Sequence, residues 1–209
     1  MSDQASTERT VNSAGERRRK AIMEAAWSLF LEKGYAAVSV DEIIRASGGS
    51  KSTLYKFFGS KEGVLKALVE SFAETFIREI NLPTQPGQTT RETLRRIGLY
   101  ICKQALSSTA ISQYRLAVSN VPHFPKAARL WYDSGPSTTF EALAGYIRRE
   151  NQAGRLNAKD PDRASVFFLG MLIFKDNMAM SIGADPPSAK EMEEIVSEAV
   201  DVFMAAYGT

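Results

Sequence analysis

The sequence predicts an all-α protein in two parts: an N-terminal helix-turn-helix unit of three helices and a larger C-terminal helical domain. Three observations lead there. Apolar residues recur at spacings of three and four from residue 16 to the C-terminus. No segment has the period-two alternation of a half-buried strand. Short helical segments near the N-terminus are punctuated by glycines, whereas the later ones are long.

Residues 1–15 are small and polar and are expected to form a disordered tail. The first helix then covers 16–33, with Ile22, Ala25, Ala26, Leu29 and Phe30 on one face and Gly34 after its end. Ser39 and Glu42 form a capping-box pair that opens a short second helix, which Gly48 and Gly49 close. Ser50 caps a third short helix, Lys51 to Phe57 or Phe58, ended by Gly59. Ser60 starts a long fourth helix carrying Val64, Leu65, Leu68, Val69, Phe72, Phe76, Ile77 and Ile80. After the Pro- and Gly-bearing loop 82–90, helices are expected at 91–106, 112–121, 124–132, 137–153, 161–182 and 188–207. The domains read as 16–62 for the helix-turn-helix and 63–209 for a regulatory and dimerising part.

Composition bounds the function loosely. The 209 residues are 44% hydrophobic and 24% charged, an ordinary globular balance, and the net charge of +2 selects no partner. A lone cysteine, Cys102, excludes an intrachain disulfide and a cysteine zinc cluster. With no apolar leader and no run of about 20 apolar residues, a cytoplasmic protein is expected that neither crosses nor binds a membrane. Nucleotide-binding glycine motifs, a nucleophile elbow and a zinc-protease signature are all missing, so neither catalysis nor a cofactor is expected. His123, the single histidine, lies between prolines and reads as a loop or packing residue.

Positive charge is local. Between Ile43 and Lys61 there is no acidic residue, while Arg45, Lys51, Lys56 and Lys61 stand among Ser47, Ser50, Ser52, Thr53 and Tyr55. These side chains bind phosphates and base edges, and two short helices across a glycine turn can set the second into a major groove. Leu54, Phe57 and Phe58 would pack inward, leaving Lys51, Ser52, Tyr55 and Lys56 to solvent with no carboxylate nearby. The basic run 17–20 reads equally as a phosphate-binding arm or a solvated helix start.

The stretch FLEKGYAAVSVDEIIRASGGSKSTLYKFFGSKEGVLKAL, residues 30–68, resembles the DNA-binding domain of the TetR/AcrR family of bacterial repressors. The Gly34-Tyr35 pair, the Ser-Lys-x-Thr-Leu-Tyr-x-x-Phe helix and the Gly-Ser-Lys-Glu start of the fourth helix carry the likeness. The later stretch LAVSNVPHFPKAARLWYDSGP is similar to an AefR-like or AcrR-like subgroup. The resemblance implies a homodimer on a palindromic double-stranded operator, released when a small molecule enters the C-terminal domain. Carried onto this chain, it puts Lys51, Ser52 and Thr53 at bases or nearby phosphates, and Tyr55, Lys56 and Lys61 on the DNA backbone. Gly49 departs from the apolar residue common there, and Ser52 from a frequent glycine. An alternative keeps the DNA-binding dimer without a small-molecule sensor, regulated by a protein partner or acting architecturally.

For the implied ligand, Phe72, Phe76, Tyr100, Tyr114, Trp131, Phe168 and Met171 are the candidate lining, although aromatics at helical spacing are more often core. A largely apolar or aromatic molecule is expected, and Arg115 and Lys175 are the cations that could reach a charged one. The last two helices each carry a broad apolar stripe, which predicts a dimer interface through Phe167, Met171, Phe174, Ile195, Val196, Ala199, Val200 and Phe203.

Overall fold

Each expected helix forms, and its end signals act as physical caps. The computed structural model describes residues 2–81, 87–122 and 125–209, with side chains described for all of these except 2–13, Phe72, Thr75, Phe76 and Asn120. Among the described residues the helices are α1 (Ser2–Lys33), α2 (Val40–Ser47), α3 (Lys51–Phe58), α4 (Lys61–Ile80), α5 (Thr90–Ala105), α6 (Ser108–Asn120), α7 (Pro125–Ser134), α8 (Pro136–Gln152), α9 (Pro161–Ser181) and α10 (Ala189–Tyr207). No strand is present among them, and one isolated β-bridge joins Leu156 to Gly208. Capping boxes close the N-termini of α2, α5 and α10 through Ser39–Glu42, Thr89–Glu92 and Ser188–Glu191. Each box satisfies backbone N–H groups that the first turn leaves without an intrahelical partner.

Two boundaries differ from the sequence reading. Helix α1 begins at Ser2 rather than residue 16, in place of the expected tail. Residues 2–15 hold no proline, and Gly15 alone does not interrupt the backbone ladder. Among the residues of α1 whose side chains are described, the buried ones start at Ile22. Helix α6 begins at Ser108 rather than 112, since the Ser107 hydroxyl accepts the Ala110 N–H at 3.2 Å and supplies the cap. His123 lies outside the described residues.

The chain forms two compact units, Met1–Ser71 with Leu116–Trp131, and Phe72–Arg115 with Tyr132–Thr209. The division falls later than the boundary at residue 62 read from the sequence, because Val64, Leu65, Leu68 and Val69 of α4 are buried in the core of the first unit. That core joins them to Ile22, Ala26 and Phe30 of α1, Tyr35 and Val38 of the following turn, Ile43 of α2, Leu54 of α3 and Ala127 of α7.

In the second unit α8 packs on α9, and α5 packs on both α9 and α10. Gly98 permits the close approach of α5: a β-carbon there would stand 2.9 Å from Val196 Cγ1 and 3.4 Å from Leu172. Phe168 and Phe203 meet edge to face with ring centres 5.1 Å apart. The buried Glu150 carboxylate accepts the Thr90 hydroxyl at 2.6 Å and two guanidinium N–H groups of Arg155 at 2.8 and 2.7 Å. Arg155, and after it Thr90, hold that carboxyl below its usual range against the opposing effect of burial.

The expected dimer stripe on α10 is corrected here. Val196, Ala199, Val200 and Phe203 are fully covered by their own chain, and Ile195 is half-buried. Helices α5 and α9 within the unit occupy the face that sequence periodicity had assigned to a second protomer.

Candidate nucleic-acid interface

Helices α2 and α3 meet across residues 48–50, and the turn between them is built by backbone chemistry. Gly48 takes φ +68°, and its N–H returns to the Ile44 carbonyl. That left-handed conformation closes α2 at a position where a side chain is unfavourable. The Ser50 hydroxyl accepts the Thr53 N–H at 3.2 Å and lies 2.8 Å from Thr53 Oγ1 and 3.0 Å from Ser52 Oγ. Ser50 therefore starts α3 and fixes the hydroxyl cluster at its tip.

The eight residues of α3 separate into two faces. Leu54 is fully buried, and Phe57 and Phe58 pack half-buried on the same core. Lys51, Ser52, Tyr55 and Lys56 are exposed, Thr53 is half-buried, and Tyr55 keeps 50% of its surface open. Arg45, in the last turn of α2, is also exposed. The outward face thus collects two ammonium groups, a phenol and hydroxyls, all able to donate hydrogen bonds to phosphate oxygens or base acceptors.

The absence of a carboxylate around this face holds in sequence but not in space. Asp41, in the first turn of α2, sits 2.7 Å from the Lys51 ammonium. Its hydrogen bond and charge raise the Lys51 pKa. The sequence reading tracked charge along the chain from Ile43 onward, and the helix turn folds Asp41 back beside the first residue of α3.

Lys61 differs from the other expected backbone contacts. Its Nζ donates to the Tyr35 carbonyl at 3.0 Å and the Val38 carbonyl at 2.8 Å, and it lies 4.4 Å from the centre of the Tyr35 ring. Burial lowers its pKa, with Glu62 acting in the opposite sense. Two of its three N–H donors are therefore committed to tying the start of α4 to the turn after α1.

The basic run at 17–20 also divides. Arg18 donates to the Gly48 carbonyl at 2.9 Å, at the negative end of α2, and the Arg19 guanidinium lies 5.4 Å from the centre of the Phe58 ring. Lys20 pairs with Glu24 on the exposed surface of α1. Sequence reading gave no role to Gly63, yet a β-carbon there would collide with the Phe58 carbonyl oxygen, so a side chain at this position would force the α3–α4 junction to shift. The short Phe58–Gly63 spacing held the signal; the direction of the carbonyl did not show in it.

The residues expected to line a ligand site are distributed over both units. Trp131 belongs to the first unit and packs half-buried on its core. In the second unit Phe168 is fully buried against Phe203, Tyr100 is half-buried, and Tyr114 and Met171 are exposed. Phe72 and Phe76 lie outside the residues whose side chains are described. Arg115 is tied to the Met180 and Ser181 carbonyls at the end of α9, while the Lys175 side chain is exposed. Helix α9 carries a separate outward stripe in which Phe167, Met171, Phe174 and Met178 are 51, 38, 68 and 53% exposed.

Fold and exposed recognition helix define a helix-turn-helix protein. Residues 22–68 match the family model described as bacterial regulatory proteins of the tetR family, and residues 92–209 match that of the AefR-like transcriptional repressor C-terminal domain. The chain belongs to the TetR family of bacterial transcriptional regulators. It is similar to the regulator EthR of Mycobacterium tuberculosis, 31% identical over 101 residues that make up 48% of this chain and 47% of EthR, so it spans about half the length of that relative. Among solved structures, the flavonoid-responsive regulator FrrA is 28% identical with a TM-score of 0.78, covering 92% of this chain and 98% of FrrA. A TetR-family regulator from Mesorhizobium loti is 25% identical with a TM-score of 0.77, covering 93 and 98% of the two chains. No helix among the described residues is long and apolar enough to cross a membrane.

Proposed function

We propose that the chain is a homodimeric repressor that reads a palindromic operator with α3 and leaves it when a small, largely apolar molecule binds the second unit. The observation that carries this reading is the outward face of α3, where Lys51, Ser52, Tyr55 and Lys56 are exposed opposite the buried Leu54. Lys51, Ser52 and Thr53, at the tip, are the base-reading residues. Arg45, Tyr55 and Lys56 hold the sugar-phosphate backbone, and Lys61 contributes mainly by keeping α4 in place. Ser50 acts through the cap rather than by reading DNA. The first unit is the DNA-binding part and the second the regulatory part.

Dimerisation is supported by the outward stripe of α9. Phe167, Met171, Phe174 and Met178 recur one turn apart and stay exposed in the single chain, as expected of a face that a twofold partner covers. One short helix reads few base pairs, and two of them related by a twofold axis address successive major grooves about 34–36 Å apart. Ligand response is supported by the family and by FrrA, which is flavonoid-responsive. The reading is tested by selecting bound sequences from random DNA and repeating the binding with Lys51→Ala, Ser52→Ala and Lys56→Ala. The first two should change which sequences are bound. Lys56→Ala should weaken all sequences alike and reduce the salt slope by about 1. Selection of no consensus, or a consensus unchanged by either α3-tip substitution, would overturn it.

A further inference from the structure

Helix α1 packs against both α2 and α3, and the packed side changes character toward its N-terminal end. Ile22, Ala26 and Phe30 are buried in the core of the first unit, whereas Arg18 and Arg19 stand four and three residues before Ile22. The groups that meet these arginines suit a cation. Arg18 Nη1 donates to the Gly48 carbonyl at 2.9 Å and approaches the Ser47 carbonyl at 3.5 Å, at the negative end of α2. The Arg19 guanidinium lies 5.4 Å from the ring centre of Phe58, the last residue of α3. One end of α3 is thus approached by Arg19, and the turn that leads into its other end is bonded by Arg18.

The stem of Arg18 follows that turn. Its Cδ is 3.9 Å from where a β-carbon on Gly49 would stand, so the side chain crosses the link between α2 and α3. The carbonyls it meets are among the last of α2, which a helix leaves without intrahelical partners. The tip of α3 has weak anchors of its own. Lys51 and Ser52 are exposed, Thr53 is half-buried, and Leu54 is the first buried residue of the helix. The Ser50 bonds run only to Ser52 and Thr53, within the start of α3. The Lys51–Asp41 pair is more than half exposed on both sides, which makes it a weak tether. The direction of the tip therefore depends on residues 48–50, two of which are glycines with wide backbone freedom.

We propose that Arg18 is a positioning residue for DNA reading: its bond from α1 to the Gly48 carbonyl restrains the α2–α3 turn and fixes the angle at which Lys51, Ser52 and Thr53 meet the bases. This rests on the reading of α3 as the recognition helix and adds a residue that acts through the turn. It also separates Arg18 from Lys56. A guanidinium directed onto protein carbonyls neutralises no phosphate, so its loss changes discrimination between sequences rather than the salt dependence of binding.

The test is binding-site selection and salt titration on the full-length chain as wild type, Arg18→Met, Arg18→Lys, and Arg18→Met combined with Gly49→Ala. Methionine keeps an apolar stem over Gly49 and removes the donors. Arg18→Met should discriminate against operators with one altered base pair per half-site at least about threefold less than wild type, with a salt slope within about 0.5 of it. Arg18→Lys retains a charged donor and should keep most of the discrimination. Gly49→Ala narrows the same turn by another route, so it should recover part of the discrimination that Arg18→Met loses. Arg18 is exposed, and every variant should melt within about 5 °C of wild type, which separates loss of reading from loss of fold. Uniform weakening of all sequences with the slope lowered by about 1 would make Arg18 a phosphate contact and overturn the proposal. Undiminished discrimination in Arg18→Met, a lowered melting temperature as its sole effect, or no recovery on adding Gly49→Ala would overturn it too. A wild-type consensus that Lys51→Ala changes and Arg18→Met leaves intact ends this proposal alone, whereas a wild type that selects no consensus ends the reading of α3 as well.

Discussion

Helices α3 and α10 both follow a simple amphipathic pattern, yet the pattern locates the exposed chemistry of one and misassigns that of the other. In α3 the inward residues are Leu54, Phe57 and Phe58, and the remaining face is polar. A polar face packed inward would leave unpaired groups, so periodicity alone decides which side meets solvent. In α9 and α10 two apolar stripes are available, and both must be covered. Periodicity says that each stripe needs a neighbour and is silent on whether the neighbour belongs to the same chain. The α10 stripe is buried by α5 and α9, and the α9 stripe through Phe167, Met171, Phe174 and Met178 is left outside. An apolar stripe identifies a surface that will be buried, and only the tertiary contacts identify by what.

The sharpest way to break that comparison is to put the same charge on each stripe. Val200→Glu places a carboxylate at a site 2% exposed with no cation described beside it, and it should cost about 4 kcal/mol or more, a large share of a typical domain's stability. Phe174→Glu, at 68% exposure, should change the folding of the single chain by about 0.5 kcal/mol or less while shifting sedimentation from dimer to monomer and weakening operator binding. A folded Val200→Glu monomer would restore α10 as the interface. A Phe174→Glu dimer with unchanged operator affinity would remove α9.

Gly63→Ala comes next, and it tests whether the α3–α4 junction is as tight as the outward face is open. Because the new β-carbon would collide with the Phe58 carbonyl oxygen, backbone must move, and a loss of at least about 2 kcal/mol is expected in chemical denaturation, with DNA binding reduced in proportion to the folded fraction. Unchanged stability would mean that α4 can shift freely against α3. Lys61→Ala asks a related question of a residue first read as a phosphate contact. Removing a charged donor from two carbonyls should cost about 1.5–3 kcal/mol, and the salt slope of DNA binding should fall less than it does for Lys56→Ala. An equal fall in slope with no loss of stability would return Lys61 to the phosphate backbone.

These cases mark what the sequence could convey. Every helix after the first lies within a few residues of its expected place, because Ser39, Ser50, Ser188 and the glycines act through local backbone groups that sequence spacing reports directly. The exposed face of α3 follows from the same local logic. Asp41 beside Lys51, Arg18 on the end of α2 and Lys61 on the 35–38 turn do not, because each joins residues 10 to 30 positions apart through a geometry that charge counting along the chain cannot see.

The Asp41–Lys51 pair sharpens the reading of the α3 tip. Both side chains are more than half exposed, so Asp41→Asn should change stability by about 0.5 kcal/mol or less. Operator affinity should nevertheless rise severalfold in mobility-shift titrations, because the substitution removes a negative charge from a surface facing a polyanion and frees Lys51 from its internal partner. A fall in affinity would instead mean that Asp41 holds Lys51 in its reading position.

The smallest effect expected is at the turn itself, where adjacent glycines have opposite reasons to be there. Gly48 needs its left-handed φ of +68°, and Gly48→Ala should destabilise by about 1 kcal/mol or more. Gly49 has no such conformation, and a β-carbon on it would sit at ordinary contact distances, 3.5 Å from Ser47 Oγ, 3.7 Å from Ile44 Cδ1 and 3.9 Å from Arg18 Cδ. Its N–H keeps the bond to the Ile44 carbonyl whatever the side chain, so alanine should fit without moving the turn. Gly49→Ala therefore stabilises the first unit by about 0.4–1 kcal/mol, chiefly by narrowing the unfolded ensemble, and this is readable as a raised denaturation midpoint at unchanged slope. Operator affinity should rise slightly or hold. A lowered midpoint would show that the backbone at Gly49 is used in a way its contacts do not reveal, and would make the flexibility of this turn, rather than its geometry, the property that sets α3 on DNA.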